Sequence, residues 1–528
     1  MGSAINGTSD TGNPQDDGIL DRTPATVQRT WLWQPNLIVF VSSACIMILE
    51  LVAGRIIAPY VGVSLYTWTS IIGVVLAGIS LGNYLGGRLA DRWASLRMLG
   101  VIFVLGGLAS FGALTVDTLG RLATFDWPIV LEILVLTTAL FFVPCLILGT
   151  ISPVVAKLAV HDLSQTGSTV GKIYAAGTAG SIVGTFATGF WLISWFGTRT
   201  VVLLVSGVLM LMAIWFMTDT RRARAVAAAA VAVVLFGGTV GLLYRGGDLE
   251  RECLLETNYF CIKVHDKRVG DTSTVRELVL DRLVHSYSDL EDPTHLVYGY
   301  ERTYAEVIRP MREQRDDLSA LFIGGGGYTF PRYLEALAPE SRLVVAEIDP
   351  GVTEVAHALL GLPRDTRTET YNLDARILLA NYDMGERFDL GFGDAFNDYS
   401  VPFHLTTLEF NRLVADLLRD DGMYLVNIVD GGRHGRFLRA FVHTLREVFA
   451  HVEVIPSGSA WRDSVRTTFV IVASKQPVDL SHLPPSERPL ALEELEEYLA
   501  GEDPIILTDE YVPVDNLLAP VFRDSHDG

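Results

Sequence analysis

The stretch ALFIGGGGYTF at 320–330, followed by RLVVAEIDP at 342–350, decides how the second half of this chain folds. A short apolar run ends in four glycines, a helix-like segment follows, and a second apolar run ends in Glu347-Ile348-Asp349. Glycine at Gly324, Gly325, Gly326 and Gly327 permits positive φ and close approach of a ligand to the N-terminus of the next helix. An acid some twenty residues beyond a glycine turn is placed to accept hydrogen bonds from ribose hydroxyls. Strand, turn, helix, strand and acid together therefore read as a nucleoside site built on Gly324–Gly327, Glu347 and Asp349.

Working outward, FDLGFGDAF (388–396), MYLVNIV (423–429) and RTTFVIVAS (466–474) are further strand-like runs separated by helix-like ones. That alternation predicts parallel βαβ units and a doubly wound sheet whose ligands bind at the C-terminal strand edges. Asp374, next to Ala375, and Asp394 fall at such edges. Asp374 also suits the cap of the following helix. Asp394 leads into Ala395-Phe396-Asn397-Asp398-Tyr399, a polar and aromatic loop fit for a cationic substrate and a general base.

The first half is different in kind. Residues 1–30 form a polar, Gly/Ser/Asp-rich tail without apolar periodicity, which predicts disorder and is not a signal peptide. Apolar runs near 35–54, 67–87, 97–116, 128–150, 172–194, 199–217 and 225–244 each approach the ~20 residues needed to cross a bilayer, giving about seven spans. Gly82, Gly86 and Gly87 in the second and Gly177, Gly180, Gly184 and Gly189 in the fifth predict close helix packing. Glu50 and Arg55 are charges in or beside the first span, read as a structural pair or a polar path.

The loops after spans two, four and six carry Arg88, Arg92, Arg97, Lys157, Lys172, Arg221, Arg222 and Arg224, against Arg55, Arg121 and Arg199 on the other side. The positive-inside rule then puts the C-terminal half outside, whereas supply of an intracellular nucleotide favours the cytoplasm. The four cysteines exclude a disulfide-dense scaffold; Cys253 and Cys261 could pair in an oxidising compartment, and they match no zinc motif. A net charge of −20 without a basic cluster excludes a general nucleic-acid binder.

From ETNYF (256–260) through LVLDRLVHS (278–286), YGYE (298–301), GGGG, EIDP, LDA (373–375) and DAF (394–396), the chain resembles the aminopropyltransferase (spermidine synthase) family. ELVAGRIIAPY (50–60) and GKIYAAGTAGS (171–181) resemble its membrane-embedded members. The resemblance implies a methyltransferase-type Rossmann-like domain with a small β-sheet before it. It also implies a decarboxylated S-adenosylmethionine donor, with Glu347 on the ribose, Asp374 and Ala375 near the adenine, and the glycine turn against the sulfonium tail. Asp394 is then the catalytic acid, and Tyr259, Asp281, Tyr300 and Glu301 line the acceptor side; Asp398 and Tyr399 join them from the loop reading alone, because NDYSVPFHLTT replaces the family's DPxGP stretch and recognition of a diamine does not carry over. Soluble members carry an Asp in the glycine turn where this chain has Gly327, which admits intact S-adenosylmethionine as well.

The expected division is a tail at 1–30, a membrane bundle at 31–245, a small β part at 246–318, the nucleoside domain at 319–478 and a C-terminal helix and docking tail at 479–528. In that tail Asp509, Tyr511 and Asp515 are candidates to reach the site, and His404 is expected to be structural. The implied reaction is transfer of an aminopropyl group to a small amine with release of methylthioadenosine, at a multi-pass cell-membrane protein using no metal. The expected partners are the amine and the lipid bilayer, no nucleic acid, and a homodimer is admitted. The alternatives are methyl transfer, lyase or cyclase chemistry on the same donor, and a transporter or sensor whose adenosyl-binding domain turns nothing over.

Overall fold

The computed structural model describes residues 34–62, 64–116, 129–160, 163–217, 222–247, 249, 253–269, 273–385, 387–395, 401–432, 435–458, 460–501 and 503–524. The tail at 1–30, Asp398 and Tyr399 lie outside these residues.

Among the described residues six helices are long and apolar enough to cross a membrane: α1 (Gln34–Val61), α2 (Leu65–Trp93), α3 (Leu96–Thr115), α4 (Val130–Ala159), α5 (Thr166–Phe196) and α6 (Thr198–Met217). The segment expected as a seventh span is helical, α7 (Arg222–Gly246), but its described apolar stretch, Ala230–Gly246, is shorter. The glycine faces are used selectively. A Cβ at Gly180 or Gly184 of α5 would overlap the backbone of α1 at Phe40 or Ala44, and one at Gly82 or Gly86 of α2 would overlap the backbone of α4 near Leu146 and Thr150. Gly87 and Gly189 have nothing within 4 Å of such a Cβ and take no part in these contacts.

The C-terminal half holds two sheets. The first is antiparallel, in the order β1 (Leu255–Glu256), β2 (Cys261–Val269), β3 (Ser273–Leu280) and β4 (Leu283–Ser288), and the helix α8 (Gly299–Gln314) follows it. A disulfide between Cys253 and Cys261 closes its first hairpin.

The second sheet has seven strands in the order β10-β11-β9-β8-β5-β6-β7. They are β5 (Ser319–Ile323), β6 (Arg342–Ala346), β7 (Glu369–Tyr371), β8 (Phe388–Gly393), β9 (Leu418–Asp430), β10 (His451–Pro456) and β11 (Thr467–Ser474). Helices α9 (Thr329–Leu337), α10 (Pro350–Leu359), α11 (Ala375–Asn381), α12 (Leu408–Leu417) and α13 (Arg436–Arg446) connect them. Both faces of the sheet are covered: Leu321 and Ile323 join one buried cluster, and the alternate residues Ala320 and Phe322 join another.

The sheet is mixed rather than wholly parallel. β11 runs antiparallel to both β9 and β10, because the connection at 457–466 is too short for a crossover helix.

The two halves meet along a polar seam. Arg282 donates to the Tyr60 carbonyl (2.7 Å), the Thr198 N–H at the start of α6 donates to Glu256 (3.0 Å), and the C-terminal helix (Val514–Asp524) takes the Leu65 N–H on Asp515 (3.0 Å). Tyr66 donates to Asn516 (2.7 Å). Arg55 does not turn toward Glu50 as a structural pair would. It sends both terminal guanidinium nitrogens out of the bundle to the carbonyls of Thr257 and Tyr259.

Candidate active site

Strand order reverses between β5 and β8, and in open α/β sheets the crevice at that point takes the ligand. The glycine turn leaves β5 there and Asp394 leaves β8, joined by the Asp394 N–H to the Ile323 carbonyl (2.9 Å). Gly324 has φ +96°, and a Cβ on it would collide with the Asp394 carbonyl, so only glycine suits the position.

Glu347 sits 5 % exposed at the end of β6 and accepts the N–H groups of Gly325 and Asp349, both at 2.9 Å. Burial pushes its carboxyl up to about 7 against those hydrogen bonds. It is the buried acid facing the glycine turn, where the ribose reading requires one.

Asp349 does something else. It is fully buried, caps α10 through the Gly351 N–H (2.8 Å), and accepts the Thr257 hydroxyl (2.5 Å). Its backbone rather than its carboxylate serves the site, by holding Glu347.

Asp374 caps α11 through the N–H groups of Arg376 (2.9 Å) and Ile377 (3.2 Å), and its other oxygen pairs with His404 Nε2 (2.7 Å). Ala375 is the buried first residue of that helix. Arg376 is gripped in turn by Asp509 of the C-terminal tail. His404 is thus a structural partner of Asp374, and Asp509 reaches the edge of the site through Arg376. Asp515 binds the bundle instead.

Asp394 accepts from Tyr300 Oη on one oxygen (2.8 Å) and from Asn427 Nδ2 on the other (2.9 Å). Burial raises its carboxyl, and these two donors pull it back only partly. Glu301 is 2 % exposed, has a buried oxygen without a hydrogen-bond partner, and is held well above the usual carboxylate range by burial and by Asp394. Both acids, with Tyr300, Tyr304, His285, Ser286 and the four glycines, line one small pocket.

Two residues assigned to the acceptor side lie elsewhere. Asp281 occupies the tight β3–β4 turn at φ 54°, accepts the Cys261 N–H (2.9 Å) and lines a separate cavity at the seam with the bundle. Tyr259 is half-exposed, and after burial it is the nucleoside-side acids Asp349, Asp374 and Glu347 that raise its hydroxyl. Asn427 and Ser286 were not expected at the site, and Arg55 was expected only as a charge of the first span. A polar residue inside the apolar run MYLVNIV was the available signal for Asn427.

No family model matches the chain. A polyamine aminopropyltransferase of Vibrio vulnificus is 34 % identical over 143 residues, covering 27 % of this chain and 46 % of that protein. A probable polyamine aminopropyl transferase of Bifidobacterium longum is 32 % identical over 136 residues, 25 % of this chain and 29 % of that protein. The chain thus spans less than half the length of these two relatives. A polyamine aminopropyltransferase of Corynebacterium efficiens is 27 % identical over 429 residues, 76 % of this chain and 78 % of that protein. The chain is thus similar to polyamine aminopropyltransferases, in part at 32–34 % identity and over most of its length at 27 %.

The Corynebacterium match is longer than the whole stretch from 246 to the end, so the likeness to this aminopropyltransferase runs on into the bundle. Among solved structures, a probable spermidine synthase from Corynebacterium glutamicum aligns with TM-score 0.42 and 20 % identity over 48 % of this chain and 95 % of that one. Gly327 stands where soluble aminopropyltransferases are expected to carry Asp, and a Cβ there would run into the Ser286 hydroxyl. Ser286 Oγ is itself buried without a hydrogen-bond partner.

Proposed function

We propose that the chain is a membrane-bound transferase that moves an aminopropyl-type group from an adenosyl sulfonium donor to a small amine. The observation that carries this reading is Asp394 beside the glycine turn, held by Tyr300 and Asn427 and raised by burial. The attacking nitrogen forms a bond to the carbon next to the sulfonium. The carbon–sulfur bond breaks, its electron pair stays on sulfur as methylthioadenosine leaves, and the nitrogen's proton passes to Asp394. A carboxylate with a raised pKa is the stronger base for that step. Glu347 holds the ribose, and the unpartnered oxygen of Glu301 accepts a hydrogen bond from the amine.

Mass spectrometry of the purified chain, incubated with decarboxylated S-adenosylmethionine and a panel of amines, tests this. Wild type releases methylthioadenosine. Asp394→Asn loses about 10²–10⁴-fold of that rate, the usual worth of a positioned base, while still binding the nucleoside. Unchanged turnover removes Asp394 from the mechanism.

Intact S-adenosylmethionine is the second reading for the donor, favoured by the Gly327–Ser286 contact. A hydroxyl in place of a carboxylate does not repel the donor's own carboxylate. S-adenosylhomocysteine as the product would mark methyl transfer, and no product from either donor would favour a sensor or transporter.

We also propose that the catalytic half is extracytoplasmic. The seam joins it to the ends of α1, α2 and α6 bearing Tyr60, Leu65 and Thr198, and the basic loops flank the opposite ends.

A further inference from the structure

We propose that Arg55, a residue of the first membrane helix, positions the nucleoside acid Glu347, so that the donor site is completed by the bundle. The inference rests on the reading of Glu347 as the ribose-binding residue. It adds that the membrane half is part of that site rather than an anchor.

Three links carry it. The Arg55 guanidinium reaches out of α1 and grips the carbonyls of Thr257 and Tyr259, two residues of the one tight turn closed by the Thr257 N–H on the Phe260 carbonyl. Inside that turn Thr257 Oγ1 accepts the N–H groups of Tyr259 (3.0 Å) and Phe260 (2.9 Å) and donates to Asp349 Oδ2 (2.5 Å). Asp349 is fully buried, and its own N–H fixes Glu347 Oε1 at 2.9 Å. Each link is a directional hydrogen bond, and two of them engage an acid, which makes them the stronger kind.

The charge of Arg55 also favours the ionised form of Asp349 against its burial. A carboxylate is the state that accepts both Thr257 and the cap of α10. The turn is fastened at both flanks, by the Cys253–Cys261 disulfide and by Glu256 on the N-terminus of α6. A fork of two donors bridging two carbonyls is a task for Arg rather than Lys.

Binding of methylthioadenosine to the full-length protein in detergent, measured by calorimetry, tests the relay without requiring turnover. Arg55→Ala and Thr257→Val should each weaken binding by about tenfold, the effect of one lost charge-assisted contact. The double variant should be little worse than either single one, because both cut the same chain. Arg55→Lys should recover part of the loss. With saturating donor, kcat should stay within about twofold of wild type while the donor KM rises, as expected for lost uniform binding.

Wild-type affinity in a folded Arg55→Ala protein overturns the proposal, and so does a double variant whose losses multiply. Should Arg55→Ala not survive purification, Thr257→Val alone decides, and unchanged affinity there is equally fatal. A wild-type chain that binds no adenosyl nucleoside takes the nucleoside reading down first, and this inference with it.

Discussion

Asp394 and Glu347 are both acids at strand ends, the first half-buried and the second buried, but their surroundings assign them different work. Asp394 is met by two side-chain donors, Tyr300 and Asn427, which leave lone pairs free toward the pocket. The Tyr300 hydroxyl favours the ionised form, so Tyr300→Phe should raise the Asp394 pKa further. A proton acceptor must be ionised to act, and the acidic limb of kcat/KM therefore moves to higher pH in that variant. The shift should be about one unit, the size of a hydrogen bond to a charged group. A pH–rate profile of the two proteins checks it, and a limb moving down instead would put Asp394 outside the titration.

Glu347 gives the second pH dependence. Burial pushes its carboxyl up to about 7, and under the proposed ribose role the hydroxyls need the carboxylate as acceptor. Binding is therefore full above 7 and falls as pH drops through it. The dissociation constant for methylthioadenosine should be about tenfold higher at pH 6 than at pH 8. In Glu347→Gln the dependence should vanish and the affinity stay low.

At the scale of elements, the glycine-bearing helices of the bundle give a direct test of packing. Gly180 faces the backbone of α1 so closely that even one added carbon overlaps it, whereas Gly189 on the same helix has open space. Gly180→Leu should lower the thermal stability of the detergent-solubilised protein by the ~1–3 kcal/mol of an overpacked contact or more. Gly189→Leu should leave it unchanged.

The amino-acid pattern could not tell these glycines apart, because small residues line both faces of α5 and only the partner helix chooses between them. Strands were more legible. ALFIG, RLVVAEID and FDLGFG are short apolar runs buried on both sides, and they emerged as β5, β6 and β8. The reversed direction of β11 was not legible, since an apolar run carries no sign of its direction. The glycine turn, Glu347 and Asp394 could be read because strand ends converge on one edge. Tyr259 and Asp281 were placed on the acceptor side by resemblance, and the seam with the bundle draws them away from it. Asn427 is one polar residue in a strand, meaningful only once β9 lies beside β8.

At the scale of the whole molecule, the seam turns the sidedness of the membrane into a geometric question. Arg55, Tyr60, Leu65, Tyr66 and Thr198 all contact the catalytic half, so these ends of α1, α2 and α6 share its side. On the opposite side Lys157 of α4 pairs with Asp91 of α2 at 3.1 Å, within the basic set of Arg88, Arg92, Arg97 and Lys172. Positive charge marks the cytoplasmic face, and the Cys253–Cys261 disulfide on the catalytic side fits an oxidising compartment. These are independent signals, one from insertion energetics and one from redox chemistry.

A cysteine introduced at Ser525 reads the outcome against a clean background, because Cys45 and Cys145 are buried and the other two cysteines are bonded. A membrane-impermeant maleimide should label it on intact spheroplasts. Labelling only after permeabilisation would put the catalytic half in the cytoplasm, beside the ordinary supply of adenosyl donors. External labelling has the sharper consequence: the donor must then reach Glu347 and Asp394 from outside, or cross through the bundle whose Arg55 helps to hold its site.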